Sequence, residues 1–144
     1  MPSHEYHTRS ADETIALGRT LAAELAPFRL ILLQGDLGTG KTTLVKGIAE
    51  GLKAADQQDV TSPTFTLIHE YRGPETSVFH IDLYRIEKRR ELDTLGIDEL
   101  LTGEHNLLLI EWGEKFAQIV SSADGQIVIT RVNDQERKIR VTHK

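Results

Sequence analysis

Gly35-x-x-x-x-Gly40-Lys41-Thr42, inside LILLQGDLGTGKTTLVKGI at residues 30–48, is the most chemically specific pattern in the chain. It matches the P-loop pattern in full. Glycine backbones curl without steric cost, so successive N–H groups can turn inward onto an anion. A helix beginning near Lys41 adds the positive end of its dipole. In such a loop the backbones of Gly38, Thr39 and Gly40 cradle phosphate, and Lys41 reaches the β- and γ-phosphates. Thr42 places its hydroxyl on Mg2+, and Thr43 donates to the α-phosphate. Lys41 is read as an exposed loop side chain that contributes little to the core. A chance match in a chain of this length has a probability of about 0.5%. The pattern also lies between a strand-like and a helix-like segment, as the mechanism requires.

A P-loop specifies a nucleotide, not a reaction. Hydrolysis needs an acid at the end of a neighbouring strand to hold the metal or orient water. LLLIE, residues 107–111, supplies Glu111 after four apolar residues, in the manner of a Walker B strand with Glu in place of Asp. Trp112, the sole tryptophan, either flanks that site or simply packs. TSPTFT, residues 61–66, occupies the place of a switch loop, where Thr64 can sense Mg2+ and the γ-phosphate. In HIDLYR, residues 80–85, strand alternation puts His80, Asp82 and Tyr84 on one face. Asp82 then binds water in the metal shell or acts as a base. Lys41, Asp82, Glu111 and Thr64 are the expected catalytic set, with Thr42 and Glu111 on the metal.

The elements that must hold these groups are legible in outline. Ser10 with Glu13 has the form of a capping box opening a helix near Ala11, with Ile15, Leu17, Leu21, Ala22 and Leu25 inward and Pro27 ending it. LILL, residues 30–33, reads as a strand buried on both faces, as in a parallel sheet. Residues 41–52 read as a helix with Leu44, Val45, Ile48 and Leu52 inward and Gly51 as terminator. Residues 65–71 and 77–84 read as strands joined by RGPETS into a hairpin. Residues 87–101 read as helix with a break at Gly96, and 114–120 as a short helix. QIVITRV and RKIRVTH alternate on either side of NDQE and read as a terminal antiparallel hairpin. Buried strands alternating with helices predict a three-layer α/β sheet with added antiparallel hairpin strands, in a single domain over 1–144.

Composition excludes several alternatives. The 144 residues include no cysteine, which removes disulfides, thiolate zinc sites and a cysteine nucleophile. A net charge of −5 argues against a protein that grips nucleic acid by itself. The run Lys88, Arg89, Arg90, with Arg85 before it, reads as a solvated helix face. His4 and His7 read as surface residues. No segment has the layout of a membrane span or a secretory signal, and a cytoplasmic protein is expected.

GDLGTGKTT, TSPTFT, HIDLYR and IEWGE, in this order and spacing, resemble the TsaE (YjeE) family over essentially the whole chain. Thr39 stands where Ala or Ser is common in that family. The resemblance implies a P-loop ATPase fold, ATP and Mg2+, with Thr42 and Glu111 on the metal. It implies a role in forming the threonylcarbamoyl group on adenosine 37 of tRNA, with TsaD and TsaB as partners. Contact with tRNA would be indirect, through that complex. For the adenine pocket it points to residues before the first helix and near the terminal hairpin, here Ser10 and Arg131. A small P-loop kinase of a metabolite or nucleotide is the alternative, but it needs an arginine-bearing lid, for which residues 53–64 are too short. A GTPase switch would carry an N-K-x-D motif, which is absent. A nucleotide-sensing assembly module that barely hydrolyses is the non-enzymatic alternative.

Overall fold

The computed structural model describes residues 3–36, 39–56 and 68–144. Its centre is a stack of apolar strands that could not face water on either side. Strand β2 (Leu30–Gln34) lies between β6 (Asn106–Glu111) and β7 (Gly125–Arg131), parallel to both, and β5 (Ser77–Asp82) continues the parallel set beyond β6. Ile31, Leu33, Leu107 and Leu109 point to one face, and Leu30, Leu32, Leu108 and Ile110 to the other. All eight are buried, which is why these segments read as continuous apolar runs rather than alternating ones.

Antiparallel strands extend both edges. On one side β7 pairs with β8 (Arg137–His143), and β8 with β1 (Ser3–Thr8). On the other, β5 pairs with β4 (Ile68–Arg72), and β4 with the two-residue β3 (Ala55–Asp56). Among the described residues the sheet has eight strands in the order β1-β8-β7-β2-β6-β5-β4-β3. The three-layer α/β architecture with added antiparallel strands is therefore observed. The predicted strand at 77–84 stops at Asp82, whose carboxylate accepts the Tyr84 N–H at 2.9 Å and turns the chain away.

Helices α1 (Ala11–Leu25) and α2 (Lys41–Gly51) cover one face. Ser10 caps α1, its hydroxyl accepting the Glu13 N–H at 3.1 Å. Glu13 reaches back to the Arg9 N–H, one residue before the cap. The two helices cross where neither has a side chain: a Cβ on Gly47 would stand 2.2 Å from the Ile15 carbonyl oxygen, and one on Gly18 would stand 2.8 Å from the Gly47 Cα. Short elements cover the other face. The predicted helix over 87–101 is two pieces, α3 (Arg89–Asp93) and α4 (Ile97–Thr102), separated at Gly96 with φ +74°. A 3-10 turn (Gly113–Lys115) and α5 (Ala117–Ser122) complete that layer.

Candidate functional site

The carboxyl ends of β2, β5 and β6 meet the start of α2, and the charged groups of the sequence motifs converge there. Lys41 is the first residue of α2 and is only 8% exposed, contrary to the expectation of a solvent-facing side chain. Its Nζ donates to the Gly35 carbonyl at 2.6 Å and stands 3.0 Å from Glu111 Oε1. The sheet floor and Trp112 close around it, with the indole centroid 6.0 Å from Nζ. Gly40 precedes it at φ +98°, a left-handed conformation that favours glycine.

Glu111 ends β6 and is equally buried, at 7% exposure. Its second oxygen accepts from His80 Nε2 on the adjacent strand β5. Burial pushes the Glu111 carboxyl up, but His80 and then Lys41 outweigh it by hydrogen bond and charge and hold it below the ordinary carboxylate value. A carboxylate with both oxygens engaged by cationic or N–H donors is a stable anion at neutral pH. Asp82, at the end of β5, is the register partner of Glu111 and is half-buried. Trp112 follows Glu111 with φ +64°, and its ring packs 5.2 Å from that of Tyr84. It packs and flanks the site at once.

Thr42 is exposed on the first turn of α2 and Thr43 is half-buried. Gly38 and Thr64 lie outside the described residues. Thr39 is buried, and its hydroxyl is the one buried side-chain polar atom without a hydrogen-bond partner among the described residues. The loop abuts a cavity of about 370 Å3 between the start of α1 and the β7–β8 turn, lined by Ser10, Thr14, Thr39, Gly40, Thr43 and Arg137 among others. Ser10, expected at the adenine, lines this cavity. Arg131 is not among the described lining residues; it bonds within the hairpin, to Asn133 O and the Asp134 carboxylate. Asp134, Gln135 and Arg137 line the cavity instead.

Two residues escaped the sequence reading of the site. His80 carried a signal, since it shares a strand face with Asp82, but its register partner on β6 is Leu109, and only the pairing of the two strands brings its ring diagonally to Glu111. Arg137 carried none. It enters from the far end of the chain and donates through Nε to Thr39 O at 2.7 Å. Arg85, which sequence spacing made the nearest arginine to the motifs, is exposed beyond the end of β5.

The donor set suits a nucleotide with a hard cation. Glycine-rich backbone, a helix start and a buried ammonium favour polyphosphate. The flanking side chains, Thr42, Asp82 and Glu111, offer oxygen alone, the ligand that Mg2+ prefers, and they are few enough that phosphate and water must complete its shell.

The family profile described as "Threonylcarbamoyl adenosine biosynthesis protein TsaE" matches residues 8–139. A Bacillus subtilis tRNA threonylcarbamoyladenosine biosynthesis protein TsaE is 39% identical over 142 residues, covering 99% of this chain and 87% of the relative. The protein of the same description from Treponema pallidum is 36% identical, covering 93% of this chain and 96% of its own. A crystal structure of Bacillus subtilis YdiB superposes with a TM-score of 0.73 at 34% identity, covering 99% of this chain and 86% of that one.

Proposed function

The chain belongs to the TsaE family of threonylcarbamoyl adenosine biosynthesis proteins, and from that premise we propose that it is an Mg2+-dependent ATPase acting with TsaD and TsaB. In this reading its hydrolysis supports formation of the threonylcarbamoyl group on adenosine 37 of tRNA, in the cytoplasm. The observation that carries it is the buried Lys41 ammonium at the floor of the glycine loop, 3.0 Å from Glu111.

The chemistry follows from that pair. A buried cation needs an anionic partner, and without nucleotide Glu111 supplies it. Lys41 would turn from Glu111 to the terminal phosphates of a bound nucleotide and there stabilise the charge that develops on the transferred phosphoryl group. Glu111 Oε1 is then free, and with the Thr42 hydroxyl it would hold Mg2+, whose part is to neutralise phosphate oxygens. His80 keeps the Glu111 carboxylate oriented by its bond to the other oxygen. Asp82, at the neighbouring strand end, would orient water with the carboxylate oxygen that does not accept the Tyr84 N–H. The cavity beyond Thr43 takes the nucleoside, with Ser10 at its wall; Arg131 would reach it only by leaving Asp134.

Among the described residues, Lys41 is the cation seen at the loop floor. The Nε and Nη1 hydrogens of Arg137 are directed to backbone carbonyls, and Arg85 is exposed beyond the end of β5. An arginine supplied by a partner is worth about 10³–10⁵ in rate. Slow hydrolysis in isolation and acceleration by a TsaB–TsaD complex are therefore expected. Steady-state phosphate release, measured for the protein alone, with that complex and with tRNA alone, tests this. A full rate in isolation that the complex leaves unchanged would refute the partnership.

A further inference from the structure

Arg137 opens β8, yet it touches the phosphate loop across 98 positions of sequence. Its Nε donates to Thr39 O at 2.7 Å, and its Nη1 to Asn133 O at 2.7 Å and Glu136 O at 2.9 Å. The turn carrying the last two carbonyls is itself braced. Asn133 Oδ1 accepts the N–H groups of Gln135 and Glu136 at 2.9 Å each. Glu136 Oε1 stands 3.0 Å from His7 Nε2 on β1. The planar guanidinium is thus held at the start of β8, with one arm on the loop.

A trans peptide is planar, and its C=O and N–H point in opposite directions. Holding Thr39 O therefore fixes the plane of the Thr39–Gly40 peptide and the direction of the Gly40 N–H. The loop cannot do this by its own covalent structure, because Gly40, at φ +98°, is the residue type that leaves any backbone region most freely. Preorganised donors bind an anion without a reorganisation cost at the moment of binding.

We propose that Arg137 is a positioning residue of the nucleotide site, acting through the Thr39 carbonyl to hold the Gly40 N–H toward the polyphosphate rather than by reading the nucleoside. The inference rests on the nucleotide reading above. Arg137 also lines the cavity, so direct contact with the nucleoside is the competing role. Inorganic pyrophosphate, which has no nucleoside, separates the two.

The experiment titrates wild type, Arg137→Gln and Arg137→Lys with ADP and with pyrophosphate by calorimetry, and follows Gly40 amide exchange in the free protein. Arg137→Gln is expected to weaken both ligands by the same factor, about tenfold or more, and to speed Gly40 exchange while β2 and β6 stay protected. Arg137→Lys, which keeps a cation without the fork, should lose less of each. Loss of ADP with pyrophosphate unchanged, or no loss of either, overturns the proposal. Should Arg137→Gln not fold, Arg137→Lys carries the same comparison. Failure of wild type to bind ADP would bring down the nucleotide reading itself; wild-type binding with unaffected variants brings down only the role of Arg137.

Discussion

Replacing Lys41 by Met tests whether the buried pair at the loop floor exists in the free protein. Both side chains are about nine-tenths buried, at 9% and 10% exposure, so solvent does little to screen the charge that remains. Removing one partner of a buried pair costs about 3–5 kcal/mol. His80 stays hydrogen-bonded to Glu111 and offsets part of this, so a loss of about 2–3 kcal/mol is expected at pH 7. The double variant Lys41→Met/Glu111→Gln leaves no uncompensated charge and should recover at least half of that loss. The penalty should also shrink on acidification. Glu111 is held below its ordinary value in the fold, so its contribution is present above the unfolded value and is lost as pH falls through the folded one. Urea denaturation at pH 7.5 and at pH 3, below the ordinary Glu value, measures all of this, and the same Lys41→Met protein should lose a hundredfold or more of its ATPase rate. A single variant as stable as wild type at pH 7.5, within about 0.5 kcal/mol, would show that Lys41 and Glu111 are not paired in solution.

Three further outcomes are expected. Glu111→Gln should weaken turnover and its Mg2+ dependence more than ADP binding without metal; an unchanged Mg2+ titration would reassign Glu111 to a structural role. Gly47→Ala drives a methyl to 2.2 Å from the Ile15 carbonyl oxygen and must part α1 from α2, costing about 3 kcal/mol in denaturant midpoint experiments; a neutral result would contradict the helix crossing. The His143 imidazole is held above its ordinary value by its bond to the Lys144 carbonyl, opposed by burial and reinforced by Glu24. Its contribution is therefore complete below the unfolded value and fades as pH rises through the folded one. His143→Gln should destabilise at pH 5.5 more than at pH 8.5, and equal losses at both would exclude the ionised contact.

What the sequence disclosed and what it hid divide along one line. Local chemistry was legible. The glycines and Lys41 of the loop, the Ser10 cap, the apolar run of β2 and the alternation of β7 and β8 each follow from neighbours within a few residues. Strand β1 was not, because it is an edge strand: His4, Glu5 and His7 gain nothing from burial, so no apolar alternation marks it, and only pairing with β8 orders it. The burial of Lys41 was equally hidden, since β6 supplies the partner that makes a buried ammonium tolerable. The split of 87–101 shows a third case. Gly96 was visible as a break, but the first helix already ends at Asp93, capped by Thr94, and the left-handed Gly96 starts the second, which periodicity alone does not reveal.

The register of β1 with β8 has a consequence for how the protein is made. Ser3 lies opposite Thr142, and Thr8 opposite Arg137, so the two ends of the described chain run side by side at one margin of the sheet. The cavity beside the glycine loop takes one wall from residues 10–14 and another from residues 134–137. A nascent chain interrupted before the final hairpin would carry the whole glycine loop yet lack the wall that faces it. The site closes only once residues 134–137 have been made, so capture of a nucleotide would distinguish chains that carry the β7–β8 turn from chains that stop short of it. A circular permutant joining Ser3 to Lys144 through a short linker and opened at a distant surface turn would reverse that order, and would place the last-made residues somewhere other than the nucleotide wall.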